Sequence, residues 1–358
     1  FIFSILGDFF VKIFIKKLII FAIPFFIFFL IPCCIYYASG EHTSIHDAYK
    51  IQNKNHSVLY GRAYSNMQNM YIFYNVVQRK PKMLILGSSR VNTFLPDDFS
   101  PSCYNANTNG ISMEYYLSFL KNLELNNALP EVLLFGPDQW FFNFEHKGGY
   151  VIDTDITGYL SKADKIIHIN AYAIKQIWND LLIQKKISIS KIFSSEHIGL
   201  SAKQRDYGWD FKGSPYDKDF IPQNKCSYVK KYHDNILNQI KTDIAFDTSY
   251  IATEKINETE WKGLVDIVNY CEKKNIRLLI FLPPFSPEIY EAMMENGKYK
   301  YLTDLQERLK LLETEKKLKL FDFTYMPETK PENFSDTHHG DPFVYRIITD
   351  KILSIYNR

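Results

Sequence analysis

The hydrophobic pattern changes character several times along the chain. From Leu18 to Tyr37 (LIIFAIPFFIFFLIPCCIYY) it is uncharged and apolar for 20 residues, about the length a helix needs to cross a hydrocarbon core. From Glu41 to about Gln78 the pattern is mixed and weak. Short apolar runs then alternate with segments of helical period. Met83–Leu86, Ser102–Ala106 and Val132–Phe135 read as strands, the last ending on Gly136-Pro137. Ser112–Leu125 puts Met113, Tyr116, Leu117, Leu120 and Leu123 on one helical face. The same grammar resumes with a helix over Glu258–Lys274, a strand over Arg277–Leu282 stopped by Pro283-Pro284, a helix over Tyr301–Lys316 and a strand over Leu318–Phe323. Asp341 and Pro342 open a last helix, Phe343–Ile355.

Strands that alternate with helices predict an α/β fold with a mainly parallel sheet, covered on both faces. In such sheets ligands bind outside the carboxyl ends of the strands. Gly87, Gly136 and Pro283 stand at those ends. The middle of the chain, about 144–246, breaks the pattern. It holds a predicted helix at Ile166–Ile183 and a polar, aromatic-dotted stretch at His197–Tyr232, and reads as an insertion that forms a cap, a cleft wall or a partner surface. The expected organisation is therefore an N-terminal stub and anchor (1–38), a juxtamembrane linker (39–78) and an α/β domain with an insertion (79–358).

Charge orients the anchor. Lys12, Lys16 and Lys17 precede the apolar run, whereas Ala38–Asp47 carries Glu41 and Asp47 and no Lys or Arg. By the positive-inside rule the N-terminus is cytoplasmic and the rest extracytoplasmic. A cleaved signal peptide fits less well, because the run exceeds a usual h-region and no small-x-small site follows closely. A lipoprotein signal at Cys33 would have Pro32 just before the cysteine, a poor match. The net charge is only +2 and no basic stripe interleaves with aromatics, so no nucleic acid is expected as partner. Five cysteines form no C-x-x-C or His/Cys cluster, and no metal or cofactor is expected. Cys33 and Cys34 lie in the apolar run, and one disulfide among Cys103, Cys226 and Cys271 stays open.

Two short motifs carry the candidate chemistry. Gly87-Ser88-Ser89-Arg90 follows a strand, where glycine permits a sharp turn and free backbone N–H groups can bind an oxyanion. Its bland reading is a strand-exit loop or a phosphate site. Asp336-Thr337-His338-His339 precedes the last helix, and at that spacing Asp336 can reach Nδ1 of His339 and leave Nε2 outward. Its bland reading is a solvated loop, or His338 in the active role. Together they supply a serine, a base that can take its proton and a carboxylate that fixes the base's tautomer.

These motifs resemble those of the SGNH (GDSL-like) hydrolase superfamily, in particular its membrane-anchored branch of D-alanyl-lipoteichoic-acid transfer and alginate or peptidoglycan O-acetylation proteins. The likeness covers about 80–145 and 258–358, with the single anchor. It implies a three-layer α/β/α fold with Ser89 as nucleophile, His339 as base and Asp336 as its carboxylate. It also implies Gly110 as an oxyanion donor, within Asn105–Ser112. The first block has Ser88 where the family has Asp, and the third has Gly136-Pro137-Asp138-Gln139-Trp140 where the family has Gly-x-Asn-Asp. An ionised Asp138 would repel an oxyanion, so Asn107 or Asn109 substitutes for the missing asparagine, or Asp138 serves another role, or turnover is slow. Arg90 is expected to hold an anionic substrate group or to pair with Asp138. The resemblance further implies acyl transfer to a surface glycan, with a membrane-bound O-acyltransferase as partner. An esterase and a non-catalytic assembly or binding subunit are the alternatives.

Overall fold

Five short segments, three of them built on continuous apolar stretches, form a parallel sheet in the computed structural model, which describes residues 2–110, 112–146, 156–216 and 227–356. The strands are β1 (Met83–Gly87), β2 (Cys103–Asn107), β3 (Val132–Gly136), β4 (Arg277–Leu282) and β5 (Leu318–Asp322). Their order is β2-β1-β3-β4-β5, and every neighbouring pair is parallel. The register sets Gly87 level with Asn107 and Gly136, so three chain segments leave the sheet side by side.

Burial on both faces explains why β1, β3 and β4 show no polar alternation. Ile85, Leu134 and Leu279 pack with Val344, Ile348 and Ile352 of the terminal helix Pro342–Tyr356. The intervening Leu84, Leu86, Leu133 and Phe135 are equally buried. On that side the Tyr116 ring, from the helix Met113–Leu125, meets Phe135 edge-on at 5.1 Å. Helices Glu258–Lys273 and Lys300–Glu315 also lie where the periodicity expects them. A further helix, Pro287–Asn296, follows β4, with Pro287 in its first turn and Gly297 ending it at φ +73°.

The chain divides into two compact units, residues 67–164 with 209–358, which contain the sheet, and residues 1–66 with 165–208. In the second of these, one helix runs from Ile2 to Ala38, with Pro24 and Pro32 inside it. It is long and apolar enough to cross a membrane over Lys12–Ala38. Its last turns pack Ile35 and Tyr36 against Ala173, Ile177, Ile192 and Leu200. Just beyond it, the buried Glu41 accepts backbone hydrogen bonds from Ala63 (2.9 Å) and Leu200 (2.7 Å).

Three expectations change here. The stretch 39–78, expected as a linker, carries the helices Ile45–Lys54 and Gln68–Arg79. The first buries Ile45, Ala48 and Gln52, too mixed a set to read as an apolar face, and the second buries every residue from Tyr71 to Val77, leaving no period. The expected single insertion is shared, 165–208 going with the N-terminal unit and 209–246 with the sheet unit. The helix expected from Ile166 begins at Ala171, because the Asn170 side chain caps it by accepting from Ala173 N (2.9 Å). Cys226 and parts of the insertion, 147–155 and 217–226, lie outside the described residues. Cys103 and Cys271 are free, buried thiols.

Candidate active site

The ends of β1, β2 and β3 and the loops after β4 and β5 gather around the serine turn in two side-chain webs. A Cβ on Gly87 would stand 2.6 Å from Val91 Cγ1 and 2.9 Å from Gly136 O, so only glycine fits where the chain leaves β1. The chain then enters a short 3₁₀ turn, Ser89–Val91, capped by Ser88, whose Oγ accepts from Arg90 N (3.2 Å). Ser88 is buried by this role, whereas Ser89 is exposed.

The loop 333–341 folds back on itself. Ser335 N donates to His339 O (2.8 Å) and Asp341 N to Asn333 O (2.8 Å). Within it, Asp336 Oδ1 accepts from the backbone N–H groups of His338 and His339, both at 2.8 Å, while Oδ2 lies 2.6 Å from His339 Nδ1. Thr93 Oγ1 donates to Gly340 O (3.3 Å) and ties this loop to the serine turn. His339 Nε2 then stands 2.8 Å from Ser89 Oγ. Serine, imidazole and carboxylate thus form a continuous hydrogen-bonded chain, and His339, not His338, faces the serine. Burial pushes the Asp336 carboxyl up, but attraction to the imidazoles and the hydrogen bonds it accepts hold it well below the usual carboxylate range.

His338 has a different task. Its Nδ1 lies 2.7 Å from Tyr250 Oη and 2.8 Å from Thr337 Oγ1, which are themselves 2.6 Å apart. Burial pulls its pKa well below the ordinary histidine value, so it is neutral near pH 7. Trp140, half-buried, meets His338 edge-on at 4.9 Å. Asp336, His338 and His339 bring potential ligand atoms within 4.8 Å of one another, the spacing of a metal cluster. Nδ1 of both histidines is already taken up by hydrogen bonds to neighbouring side chains.

Arg90 is nearly inaccessible, at 1% exposure, so it is not displayed for a substrate anion. Its guanidinium donates to Gln139 Oε1 (2.6 Å) and Pro284 O (2.5 Å) and lies 3.8 Å from Asp138. Gln139 donates in turn to Pro283 O (2.6 Å) and Thr324 Oγ1 (3.2 Å), and Tyr345 Oη donates to Arg90 O. The web clamps the exits of β1, β3, β4 and β5 behind the serine. Burial drives the Asp138 carboxyl up to about 6, against the pull of Arg90, a Ser88 hydrogen bond and His339. Burial also lowers Arg90, with Asp138 opposing.

The β2 exit brings Gly110, Asn107 and Asn109 into a second web. Thr108 N donates to Gly87 O (2.8 Å), which holds this loop beside the serine turn. A Cβ on Gly110 would meet the Tyr116 ring at 2.4 Å, so glycine is required there by packing alone. Asn107 donates to Gly213 O (2.7 Å) and accepts from Gln68 Nε2 (2.9 Å). Asn109 donates to Gln68 Oε1 (3.1 Å), and its backbone N–H to Asn69 Oδ1 (2.8 Å). Both asparagines therefore hold the loop to the helix Gln68–Arg79, a tie that the weak pattern of that helix hid. Gln139, Thr337 and Tyr250 are the residues of the site that sequence reasoning missed. Gln139 and Thr337 adjoin motif residues, while Tyr250 stands in a region without any motif.

No family model, curated protein or solved structure matches this chain.

Proposed function

We propose that the chain is a membrane-anchored serine O-acyltransferase or esterase of SGNH type, with a three-layer α/β/α domain on the extracytoplasmic side. The observation that carries this reading is the Ser89–His339–Asp336 chain, at 2.8 and 2.6 Å, at the carboxyl end of a parallel sheet. The parallel sheet and the glycine at the end of β1 support the same reading.

In the proposed reaction Ser89 Oγ attacks an ester or thioester carbonyl and gives its proton to His339 Nε2. Asp336 holds the imidazole in the tautomer that leaves Nε2 free to accept, and stabilises the imidazolium that forms. The backbone N–H groups of Ser89 and Gly110 receive the oxyanion. The leaving group departs with the proton from His339, and the acyl group stays on Ser89. An acceptor hydroxyl then gives its proton to His339 and attacks the acyl-serine, and Ser89 Oγ takes that proton back as the new ester leaves. By resemblance the acceptor is a cell-surface glycan and the donor a membrane-bound O-acyltransferase partner, and water as acceptor makes the same site an esterase.

One observation favours a second reading, a non-catalytic assembly or binding subunit of a cell-envelope polysaccharide system. Asp138 stands where an oxyanion donor is expected and lies buried beside Arg90. Turnover of 4-nitrophenyl acetate by the detergent-solubilised full chain separates the readings. Release of 4-nitrophenol that depends on Ser89 supports the enzyme, and its absence from folded protein with a cellular phenotype that survives Ser89→Ala supports the subunit.

A further inference from the structure

The N-terminal helix carries a contact at an unexpected depth. Trp178 Nε1 donates to the carbonyl of Phe28 (3.0 Å), and the two rings stack at 6.0 Å. Phe28 lies near the middle of the uncharged run Leu18–Tyr37. Only residues 18–27 separate Lys17 from this contact, a rise of about 15 Å, half of the ~30 Å of hydrocarbon to be crossed. A helix that spans the bilayer must therefore carry part of its own unit into the membrane with it.

The segment that would enter has the required surface. The helix Ala171–Trp178, the π turn Asn179–Ile183 and the helix Ile189–Ser194 turn Ala173, Ile177 and Ile192 toward Ile35 and Tyr36 of the anchor. They leave Tyr172, Leu182, Ile183, Ile189 and Phe193 outward, with Ile183 at 72% and Phe193 at 76% exposure. Isolated exposed apolar residues are ordinary, but five on one segment against a membrane helix call for an apolar medium. The segment also exposes Lys175, Lys185, Lys186 and Lys191, whose ammonium groups can reach headgroup phosphates or water from the ends of their apolar stems.

We infer that residues 171–194 are immersed in the bilayer leaflet at the C-terminal end of the anchor, so that the protein is held by a span and an embedded shoulder. This goes beyond the acyl-transfer reading and rests only on the N-terminal helix being a membrane span. The shoulder fixes how far the unit stands above the lipid, which a single helix cannot do.

The test uses the full chain in vesicles of phosphatidylethanolamine and phosphatidylglycerol. The photoreactive residue p-benzoylphenylalanine replaces Ile183 or Phe193, with Phe25 as a site inside the span and the exposed Asn53 as a polar-surface control. Phospholipid adducts by mass spectrometry are expected at 183 and 193 at yields within about threefold of position 25, with Asn53 near background. Adducts at 25 but only background at both 183 and 193 would overturn the shoulder and leave the span. Background at all of them would remove the span itself, and the shoulder with it. Cross-links from 183 and 193 to a second copy of the chain, in place of lipid, would also overturn it and assign the surface to self-association.

Discussion

Ser89 Oγ lies 2.8 Å from His339 Nε2, although 250 residues separate them. The sheet makes this meeting possible: Ser89 leaves the end of β1, and the terminal helix that follows His339 packs on the β1 side chains. Ser89 is exposed and contributes little packing. Ser89→Ala is therefore expected to lower ester turnover by on the order of 10³-fold or more, with a change in stability within about 0.5 kcal/mol. Steady-state kinetics and a denaturant titration on the same preparation check both halves.

Asp336 holds two backbone N–H groups as well as the imidazole, so its substitution separates orientation from charge. Asp336→Asn preserves size but favours the wrong tautomer of His339, and turnover is expected to fall by about 10⁴-fold. Because the folded state holds this carboxyl below the ordinary value of 3.8, its stabilisation is present at neutral pH and lost as the pH falls below that value. Acid unfolding followed by circular dichroism should accordingly begin at a higher pH in Asp336→Asn.

Asp138 works in the opposite direction. Its carboxyl is raised from 3.8 to about 6. The folded state therefore binds a proton that the unfolded state has released, and stability falls as the pH rises from about 4 to 6. A shift of this size corresponds to about 3 kcal/mol. Asp138→Asn is expected to flatten that part of the stability profile, measured by denaturant midpoints at pH 4.5, 5.5 and 7. On the proposed acyl-transfer reading the same variant removes a negative charge at the exit of β3 beside the serine turn, and turnover above pH 6 is expected to rise by about tenfold.

Arg90 is a structural hub, and its fork is what the site uses. Lysine cannot reproduce the paired bonds to Gln139 and Pro284, so Arg90→Lys should not behave as a conservative change. A loss of about 1–3 kcal/mol is expected, as for buried groups left without their hydrogen-bond partners. Thermal unfolding of Arg90→Lys beside Asp138→Asn measures it.

The strands were readable because their apolar runs are continuous and end on Gly87, Gly136 and Pro283, and the serine and Asp-x-x-His motifs were readable because their spacing is local. What escaped the sequence escaped for physical reasons. Gln68–Arg79 buries polar Asn69 and Asn75 along with its apolar residues, and the contacts of Gln68 and Asn69 with Asn107 and Asn109 leave no mark in the pattern. Tyr250 reaches His338 across 88 positions, and a lone tyrosine carries no signal of such a bond. Arg90 after a candidate nucleophile suggested either a substrate anion or Asp138 as its partner, and its burial against the exits of β3 and β4 and the terminal helix, beside Asp138, makes it a clamp.

The central claim is that His339 activates Ser89, and a fluorophosphonate tests it most directly because it reacts with activated serines. Intact-mass spectrometry of the detergent-solubilised full chain is expected to give one adduct, absent from Ser89→Ala and from His339→Ala. No adduct on folded wild-type protein, or an adduct that persists in either variant, would contradict the account.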